Sequence, residues 1–323
     1  MTRVLVTGGN GFLGRFVCRA LVEAGHEVRA TVRDPATLDR SRPELKSGCS
    51  WIVTRDLAGD FDAQEALAGI QVVVHLAARA HVLHETAPDP LAEFQRVNTT
   101  ATRNLADLAA RARVQRFIFI STVGVNGNQT RKQHPFTETD VPMPHSPYAV
   151  SKLLGEEALR EKARAASMEF VILRPPLAYG PGVKGNFLNL IRLIDRGFPL
   201  PLASLTNRRS LVSAANLADL IVRCIDHENA ADKTFMISDC ADLSTADLIK
   251  KIAASLGRPA RLIPFPPGLL ILAAKCAGRY GSLQGLFESL QVDCSHTRSQ
   301  LCWSPPQSLE EGLAETAHWY RSL

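Results

Sequence analysis

The sequence is short of features that would place it in several common classes. Its seven cysteines are scattered and never form a C-x-x-C pair, so we expect buried free thiols in a reducing compartment. No apolar run approaches the roughly 20 residues of a membrane helix, and residues 1–20 show no signal peptide. We therefore expect a cytoplasmic protein without membrane insertion. The longest apolar stretch, "GLLILAAKCAG" at residues 268–278, is expected to form a buried or interface helix.

Charge and nucleophile patterns argue against further classes. The net charge is +5, but Lys and Arg do not cluster, so no nucleic-acid surface is predicted. His81 and His84 stand three residues apart without a third ligand nearby, so no metal site is predicted. The chain has neither a G-x-S-x-G elbow nor a Cys/His nucleophile pattern, so nucleophilic catalysis is not indicated.

What the sequence does contain is an alternation of strand-like and helix-like segments. Short runs rich in Val and Ile, separated by helical patterns, predict a parallel sheet covered by helices on both faces. After Arg174, prolines end this alternation and shorter elements follow. Because 323 residues exceed the usual size of one core, a second lobe is expected.

The predicted fold is therefore α/β, with a Rossmann-type doubly wound parallel sheet and a smaller C-terminal α/β substrate lobe. The sheet would span residues 1–174 and be rejoined at about residues 210–240, while the lobe would occupy mainly residues 175–323. Two long helices are predicted at about Pro90–Arg113 and Pro147–Ala166. The predicted strands are Val4–Thr7, Glu27–Val32, Ser50–Thr54, Val72–Leu76, Arg116–Ser121, Glu169–Arg174 and Lys233–Ser238.

Glycines follow the first predicted strand in the pattern T-G-x-x-G-x-x-G and lead into a helix. Gly8 permits a sharp turn, Gly11 leaves room for a pyrophosphate, and Gly14 lets the helix pack closely on the strand. The helix N-terminus adds unpaired N–H groups and a partial positive charge. This context predicts a dinucleotide-binding loop, and we assign Phe12 and Leu13 to the same site.

The end of the second strand bears on which dinucleotide binds. An acidic residue there would accept hydrogen bonds from a ribose 2′-hydroxyl, but this strand ends with Val32 and is followed by Arg33. Because an arginine suits a 2′-phosphate, NADP(H) is favoured and NAD(H) is the alternative. Arg33 would otherwise stack on the adenine or face solvent. After the third strand, Asp56 would reach the adenine amino group, with Leu57 beside it.

Tyr148 and Lys152 lie four residues apart in "SPYAVSK", which places them on one face of a helix. A neighbouring lysine favours the phenolate and lowers the pKa of a tyrosine. The tyrosine would then serve as a general base for a hydroxyl or as a general acid for a ketone. A surface Tyr–Lys pair without a catalytic role is the alternative.

Together with "TGGNGFLG", "HLAA", "RVNTTAT" and "FISTVGVNG", this motif resembles the extended short-chain dehydrogenases/reductases over nearly the whole chain. The resemblance implies that Tyr148 exchanges the substrate proton, that Lys152 binds the nicotinamide ribose, and that Thr122 holds the reacting oxygen. Ser121 is the rival hydroxyl, and Asn126 departs from the family's tyrosine. The resemblance also places further residues beside the cofactor, namely Leu76, Ala77, Ala78 and Asn98.

The second lobe bears on the substrate. "LRPPLAYGPG" is similar to a family segment in which an asparagine contacts a sugar nucleotide, but Leu177 stands at that position. The resemblance implies diphosphate or uridine contacts from Asn186, Phe187 and Arg209, with a UDP-sugar as substrate. It also implies a homodimer that pairs the two long helices. Arg208 is expected to be solvated.

Three functions follow from these motifs. The favoured one is an NADPH-dependent 4-ketoreductase of a UDP-4-keto-6-deoxy-N-acetylhexosamine in polysaccharide biosynthesis, because net reduction suits the preference that Arg33 indicates. The alternative is a redox-neutral UDP-glucose or UDP-GlcNAc 4-epimerase that holds NAD tightly. The third is a non-catalytic NADP-sensing protein. A dehydratase is disfavoured because Val123 and Gly124 replace its Asp-Glu pair.

Overall fold

A seven-stranded, wholly parallel sheet forms the centre of the computed structural model. Its spatial order is β3-β2-β1-β4-β5-β6-β9, which confirms the predicted doubly wound α/β class. A separate two-stranded parallel pair is formed by β7 and β8. The described residues are 1–40, 48–54, 56–59, 61–80 and 88–323. The strands are β1 (Arg3–Thr7), β2 (Glu27–Val32), β3 (Cys49–Val53), β4 (Val72–His75), β5 (Arg116–Ile120), β6 (Glu169–Arg174), β7 (Leu177–Tyr179), β8 (Leu211–Ser213) and β9 (Lys233–Met236).

Helices cover both faces of the sheet. The long helix predicted near 90–113 is interrupted by a π-helical segment, Gln95–Thr100, which joins two α-helices. The α-helices are α1 (Phe12–Glu23), α2 (Ala36–Arg40), α3 (Ala63–Leu67), α4 (Pro90–Phe94), α5 (Ala101–Arg111), α6 (Pro147–Ala166), α7 (Gly185–Asp195), α8 (Ala214–Cys224), α9 (Thr245–Ser255), α10 (Pro267–Cys276), α11 (Tyr280–Phe287), α12 (Ser295–Leu301) and α13 (Leu309–Arg321).

Strand β1 has an uninterrupted run of apolar residues, and these residues are buried on both faces of the sheet. Val4 and Val6 belong to a core cluster that includes residues of α1 and α8, whereas Leu5 between them belongs to the cluster that includes α5 and α6. Successive side chains of a strand point to opposite faces, and here both faces are buried. The alternation therefore builds two cores from one strand, with α1 on one face of the sheet and α5 and α6 on the other.

The residues after β6 form a third apolar core and also return to the main sheet. Tyr179 stacks on Phe187 with ring centroids 5.6 Å apart, and its hydroxyl donates to Asp239 over 2.7 Å. Strand β9 pairs in parallel with β6 as the last strand of the sheet. The boundary at residue 174 between two lobes stays a prediction.

Two expectations about buried side chains need correction. The thiols are all free, but Cys240, Cys276 and Cys302 are exposed and not buried. Ala274 is the one buried residue of the apolar helix α10 among those described, so the buried alternative for this helix is wrong and the interface alternative stays a prediction. None of the helices in the described ranges is both long enough and apolar enough to cross a membrane.

Candidate active site

A cavity of about 560 Å³ opens at the carboxyl ends of the central strands. The order of the strands reverses its direction between β1 and β4, which is where doubly wound sheets bind ligands. The glycine loop and the residues after β4 form one part of its lining, which we call the cofactor wall. Another part, which we call the substrate wall, is formed by residues 175–178, Arg209, Gln284 and Leu290. Tyr148, Lys152 and Thr122 lie between the two walls.

The glycine loop needs glycine at two of its positions, Gly8 and Gly14. Gly8 has a φ of +70°, and a Cβ on Gly14 would lie 2.2 Å from the carbonyl oxygen of Gly8. Helix α1 starts after Gly11, and no side chain among the described residues caps its N-terminus. Its first N–H groups thus face the cavity side of the loop without a capping partner. This cradle fits the pyrophosphate of a dinucleotide.

The segment after β4 forms the neighbouring part of this wall. Leu76 and Ala78 line the cavity, and the N–H of Ala77 donates to the Thr7 hydroxyl over 3.2 Å. The same hydroxyl bonds the Nδ1 atom of buried His75. Burial lowers the pKa of His75 to about 3, so this histidine is neutral and fixes the loop without titrating near neutral pH.

Helix α6 presents the tyrosine and lysine to the cavity. The hydroxyl of Ser146 accepts from the N–H of Ala149 and caps the helix just before the two residues. Lys152 is buried, with its Nζ 4.0 Å from the centroid of the Phe119 ring. Burial lowers the pKa of Lys152 to about 7 and raises that of Tyr148 to about 12. The protein groups alone therefore hold the tyrosine protonated.

Asn98 ties the helix to the cofactor wall. Its Nδ2 donates to the carbonyl oxygen of Arg79 and to the hydroxyl of Ser151, while its Oδ1 accepts from the N–H of Arg79 over 2.8 Å. Ser151 donates in turn to the carbonyl oxygen of Tyr148. Asn98 lies in the π-helical segment and does not line the cavity. Asn98 therefore acts on the position of Tyr148 indirectly, through Ser151 and the carbonyl oxygen of Tyr148.

The two candidate hydroxyls after β5 have different surroundings. Ser121 donates to the buried carboxylate of Glu156, so its proton is already engaged. Thr122 accepts from the N–H of Gly124 over 3.1 Å and is the more exposed of the two. Because its own proton stays available at the cavity, Thr122 is the better placed donor to a substrate oxygen.

Sequence reasoning missed the buried ion pair behind these hydroxyls. Arg174 contacts both carboxylate oxygens of Glu156, at 2.9 and 2.6 Å, and also donates to the side chain of Asn126. Arg174 ends β6, and Glu156 lies one turn beyond Lys152 on α6. The sequence signal for this ion pair was Arg174 itself, a charged residue at the end of an otherwise apolar strand segment.

The residues assigned to the adenine side do not line the cavity. Arg33 is exposed at the end of β2. Asp56 accepts from Arg96 and from the N–H of Ala58, and the backbone bond is the largest cause that lowers its pKa. Leu57 follows it in a turn. The structure thus places Arg33, Asp56 and Leu57 apart from the catalytic residues.

The substrate wall differs in part from the expectation. Arg209 lines the cavity, and its Nη1 donates to the carbonyl oxygen of Glu288. Burial lowers its pKa, and no carboxylate of the described residues forms a salt bridge with it. Leu177 also lines the cavity, whereas Phe187 lies in the third core and Asn186 lies outside the cavity lining.

Two cavity residues come from segments that no motif singled out. Gln284 of α11 and Leu290 after it line the substrate wall about 75 residues beyond Arg209 in the chain. His81 and His84 lie outside the described residues. Within the described ranges, no group of three His, Cys, Asp or Glu side chains is arranged to hold a metal ion.

Comparison with known proteins gives the family. The chain matches the model of the NAD dependent epimerase/dehydratase family over residues 4–238. It is 42% identical over 316 residues to the UDP-glucose 4-epimerase of Vibrio cholerae, covering 97% of this chain and 94% of that protein. The chain therefore belongs to the NAD-dependent epimerase/dehydratase family and is an extended short-chain dehydrogenase/reductase.

Solved structures agree with this fold. MoeE5 in complex with UDP-glucuronic acid and NAD is 26% identical, with a TM-score of 0.78, and the match covers 99% of this chain and 100% of that one. The UDP-glucuronic acid 4-epimerase of Bacillus cereus in complex with NAD is 23% identical, with a TM-score of 0.79 and 99% coverage of both chains. The preference for NADP(H), the homodimer and the cytoplasmic location stay predictions.

Proposed function

We propose that this protein is a redox-neutral C4 epimerase of a UDP-hexose that retains NAD through the reaction. The observation that carries the proposal is the placement of Thr122, Tyr148 and Lys152 between a dinucleotide cradle and a wall containing Arg209. The 42% identity to the UDP-glucose 4-epimerase of Vibrio cholerae supports the epimerase over the 4-ketoreductase favoured by Arg33. The intact catalytic residues argue against a non-catalytic binding protein.

Tyr148 would exchange one proton with the O4 atom of the sugar. It takes this proton as the hydroxyl becomes a carbonyl and gives it back when the hydroxyl is restored, so the enzyme gains no net proton. Thr122 donates a hydrogen bond to the same oxygen. NAD bound at the cradle would supply the two-electron acceptor that takes the C4 hydride and returns it to the opposite face of the sugar.

Lys152 would control the charge state of the tyrosine. Because burial raises the pKa of Tyr148 to about 12, the phenolate needs nearby positive charge to form at neutral pH. Lys152 lies one turn away and supplies part of that charge when protonated. Its own pKa of about 7 means that this charge depends on the pH and on what else occupies the cavity.

The cofactor choice rests on two opposing features. Arg33 would suit a 2′-phosphate, but it is exposed and does not line the cavity. NAD is the dinucleotide in the MoeE5 complex and in the complex of the Bacillus cereus epimerase. Because an epimerase needs no exchange of spent cofactor, retained NAD is the dinucleotide that fits the proposed reaction.

Arg209 would hold the diphosphate of the UDP group. It has no salt-bridge partner among the described carboxylates, and burial keeps water from competing for its guanidinium. Leu177 offers no hydrogen bond to the sugar, so sugar selection would depend on other residues of this wall. We further propose that α4, α5 and α6 pair two copies into a dimer, which size-exclusion chromatography with light scattering would test.

The deciding experiment compares two substrates with the purified protein. Conversion of UDP-glucose or UDP-GlcNAc to its C4 epimer without added cofactor, followed by NMR, is the result that the proposal predicts. Stoichiometric loss of added NADPH with a UDP-4-keto-6-deoxy sugar, and no epimer from either hexose, would establish the reductase instead. No turnover of any nucleotide sugar would leave only the binding protein. Tyr320→Phe, remote from the cavity, serves as the matched control for Tyr148→Phe.

A further inference from the structure

Helix α10 and the chain before it expose large apolar side chains on a firmly held scaffold. Leu269 and Leu272 are 54% and 56% exposed, and Ile263 and Phe265 just before them are 46% and 39% exposed. Phe198 is 51% exposed and lies two residues before Leu200, which forms a β-bridge with Leu262. We call these five residues the apolar ridge. Scattered apolar side chains are ordinary on a surface, but four of these lie within residues 263–272, and such a group indicates a binding surface.

Backbone hydrogen bonds hold the ridge in place. The N–H of Leu200 donates to the carbonyl oxygen of Arg261 over 2.8 Å, and the N–H of Ile263 donates back to Leu200 over 2.9 Å. The N–H of Phe265 donates to the hydroxyl of Ser204 just before α10 begins. The exposed side chains thus stand on paired backbone and a helix, and they do not belong to a loose loop.

The stretch of chain that carries most of the ridge has charged residues of one sign. Residues 248–287 contain six Lys and Arg and no Asp or Glu. Lys250 pairs with Asp247 on the same helix, whereas Lys251 and Arg258 have salt-bridge partners on other segments. The other three cations, next to the ridge, have no salt bridge to a carboxylate of the described residues: Arg261, Lys275 and Arg279. The nearest acids are engaged, since Asp195 pairs with Arg258 and Glu288 accepts from Tyr280.

Arg261 also donates to the carbonyl oxygen of Gly197, and Lys275 lies over the ring of Tyr280. An apolar surface rimmed by cations that lack carboxylate partners among the described residues fits an anionic bilayer. Leucine side chains enter the boundary between headgroups and acyl chains, while Lys and Arg contact lipid phosphates. A second copy of the chain fits less well, because it would bring two cationic segments together. We propose that the apolar ridge docks this protein on an anionic lipid surface, with Leu269 and Leu272 entering the bilayer and Arg261, Lys275 and Arg279 contacting headgroups.

This docking would set the orientation of the cavity. Helix α10 leads through Ala277–Arg279 into α11, whose Gln284 lines the substrate wall and whose Gly285 adjoins Arg209. The ridge therefore flanks the substrate side of the cavity, while the dinucleotide cradle lies on the other wall. The inference depends only on the surface and holds whichever reaction the cavity performs.

Vesicle co-sedimentation of the purified full chain tests the proposal. We expect binding to vesicles of about two parts phosphatidylcholine to one part phosphatidylglycerol, with at least about tenfold weaker binding to phosphatidylcholine alone. Leu269→Glu/Leu272→Glu should reduce binding to the anionic vesicles by at least about tenfold. Lys275→Gln/Arg279→Gln should reduce it and weaken its salt dependence. Val141→Glu, at an 80% exposed apolar residue elsewhere, is the matched control and should bind as the wild type does.

Three outcomes would overturn the proposal. The first is no binding to anionic vesicles by the wild-type protein. The second is equal binding by the Leu269→Glu/Leu272→Glu variant and the wild type. The third is a smaller assembly of that variant in light scattering, without any lipid present, which would make the ridge a contact between two copies. Because the ridge variants alter exposed side chains, their thermal midpoints should match that of the control.

Discussion

The two walls of the cavity are built from different kinds of groups. The cofactor wall depends on its backbone, because Gly8 has a positive φ and a Cβ on Gly14 would lie 2.2 Å from the Gly8 carbonyl oxygen. The substrate wall consists of side chains from distant segments, among them Leu177, Arg209 and Gln284. A backbone wall tolerates almost no substitution, whereas a side-chain wall can change its ligand by exchanging one residue. The glycine spacing of the cofactor wall is thus typical of the family, whereas the side chains of the substrate wall would select the substrate.

The largest effect on activity is expected from a change at Tyr148, which lies between the two walls. Tyr148→Phe removes the proton-exchanging hydroxyl, and we expect epimerase activity to fall by about 10²–10⁴-fold. Cofactor content should stay unchanged, because the cradle on the other wall is intact. Activity is measured by NMR and bound dinucleotide by release on denaturation. Activity within about tenfold of the wild type would remove Tyr148 from the mechanism.

The backbone wall can be broken by one methyl group. In Gly14→Ala the new Cβ would lie 2.2 Å from the Gly8 carbonyl oxygen, so the loop must open and the dinucleotide should be lost from the purified protein. Gly268→Ala is the control, since a Cβ there meets nothing within 4 Å. Retention of full cofactor content by Gly14→Ala would show that the cradle is misplaced.

The side-chain wall should respond differently. Arg209→Met removes the proposed diphosphate contact, and we expect KM for the nucleotide sugar to rise by about 10–100-fold with bound NAD unchanged. Arg208→Met alters the exposed neighbour, which donates to the carbonyl oxygen of Asp242, and should leave KM near the wild-type value. Equal KM values for the two variants in steady-state kinetics would contradict this division of roles.

The smallest of the expected effects is at Lys152, whose burial should lower the free energy of unfolding. Its pKa of about 7 in the folded state lies below the ordinary value of 10.5, so the unfolded chain binds more protons between these two pH values. Wild-type stability should therefore rise from pH 7 toward pH 10, with the full cost present below pH 7. Lys152→Met should be more stable by roughly 1–3 kcal/mol at pH 6.5 and by less at pH 9.5.

Urea denaturation of nucleotide-free protein at both pH values measures this difference. A variant no more stable than the wild type at pH 6.5 would show that the buried lysine carries no such cost.

Much of the backbone wall was predictable from the sequence, because its spacing is local. The pattern from Gly8 to Gly14 and the pair of Tyr148 and Lys152 each lie within one turn or one strand–helix junction. The parallel sheet with helices on both faces also followed from the alternating segments. Local spacing fixes local geometry, so these predictions needed no knowledge of distant contacts.

The substrate wall was not predictable in the same way. Phe187 follows a matching motif, but its phase on α7 turns it onto Tyr179 in the third core. Asp56 has the expected position after β3, yet Arg96 from a distant helix engages it. Gln284 reaches the cavity only because α11 folds back against Arg209. Which side chain meets a ligand here depends on packing between segments far apart in the chain.

One isotope measurement tests the central claim most directly. A UDP-hexose carrying deuterium at C4 is converted by the purified protein in ordinary water without added cofactor. The proposed hydride transfer and return within one site predicts that the C4 epimer keeps its deuterium. An epimer that has lost its deuterium to solvent would contradict the account, and so would a reaction that proceeds only as NADPH is consumed.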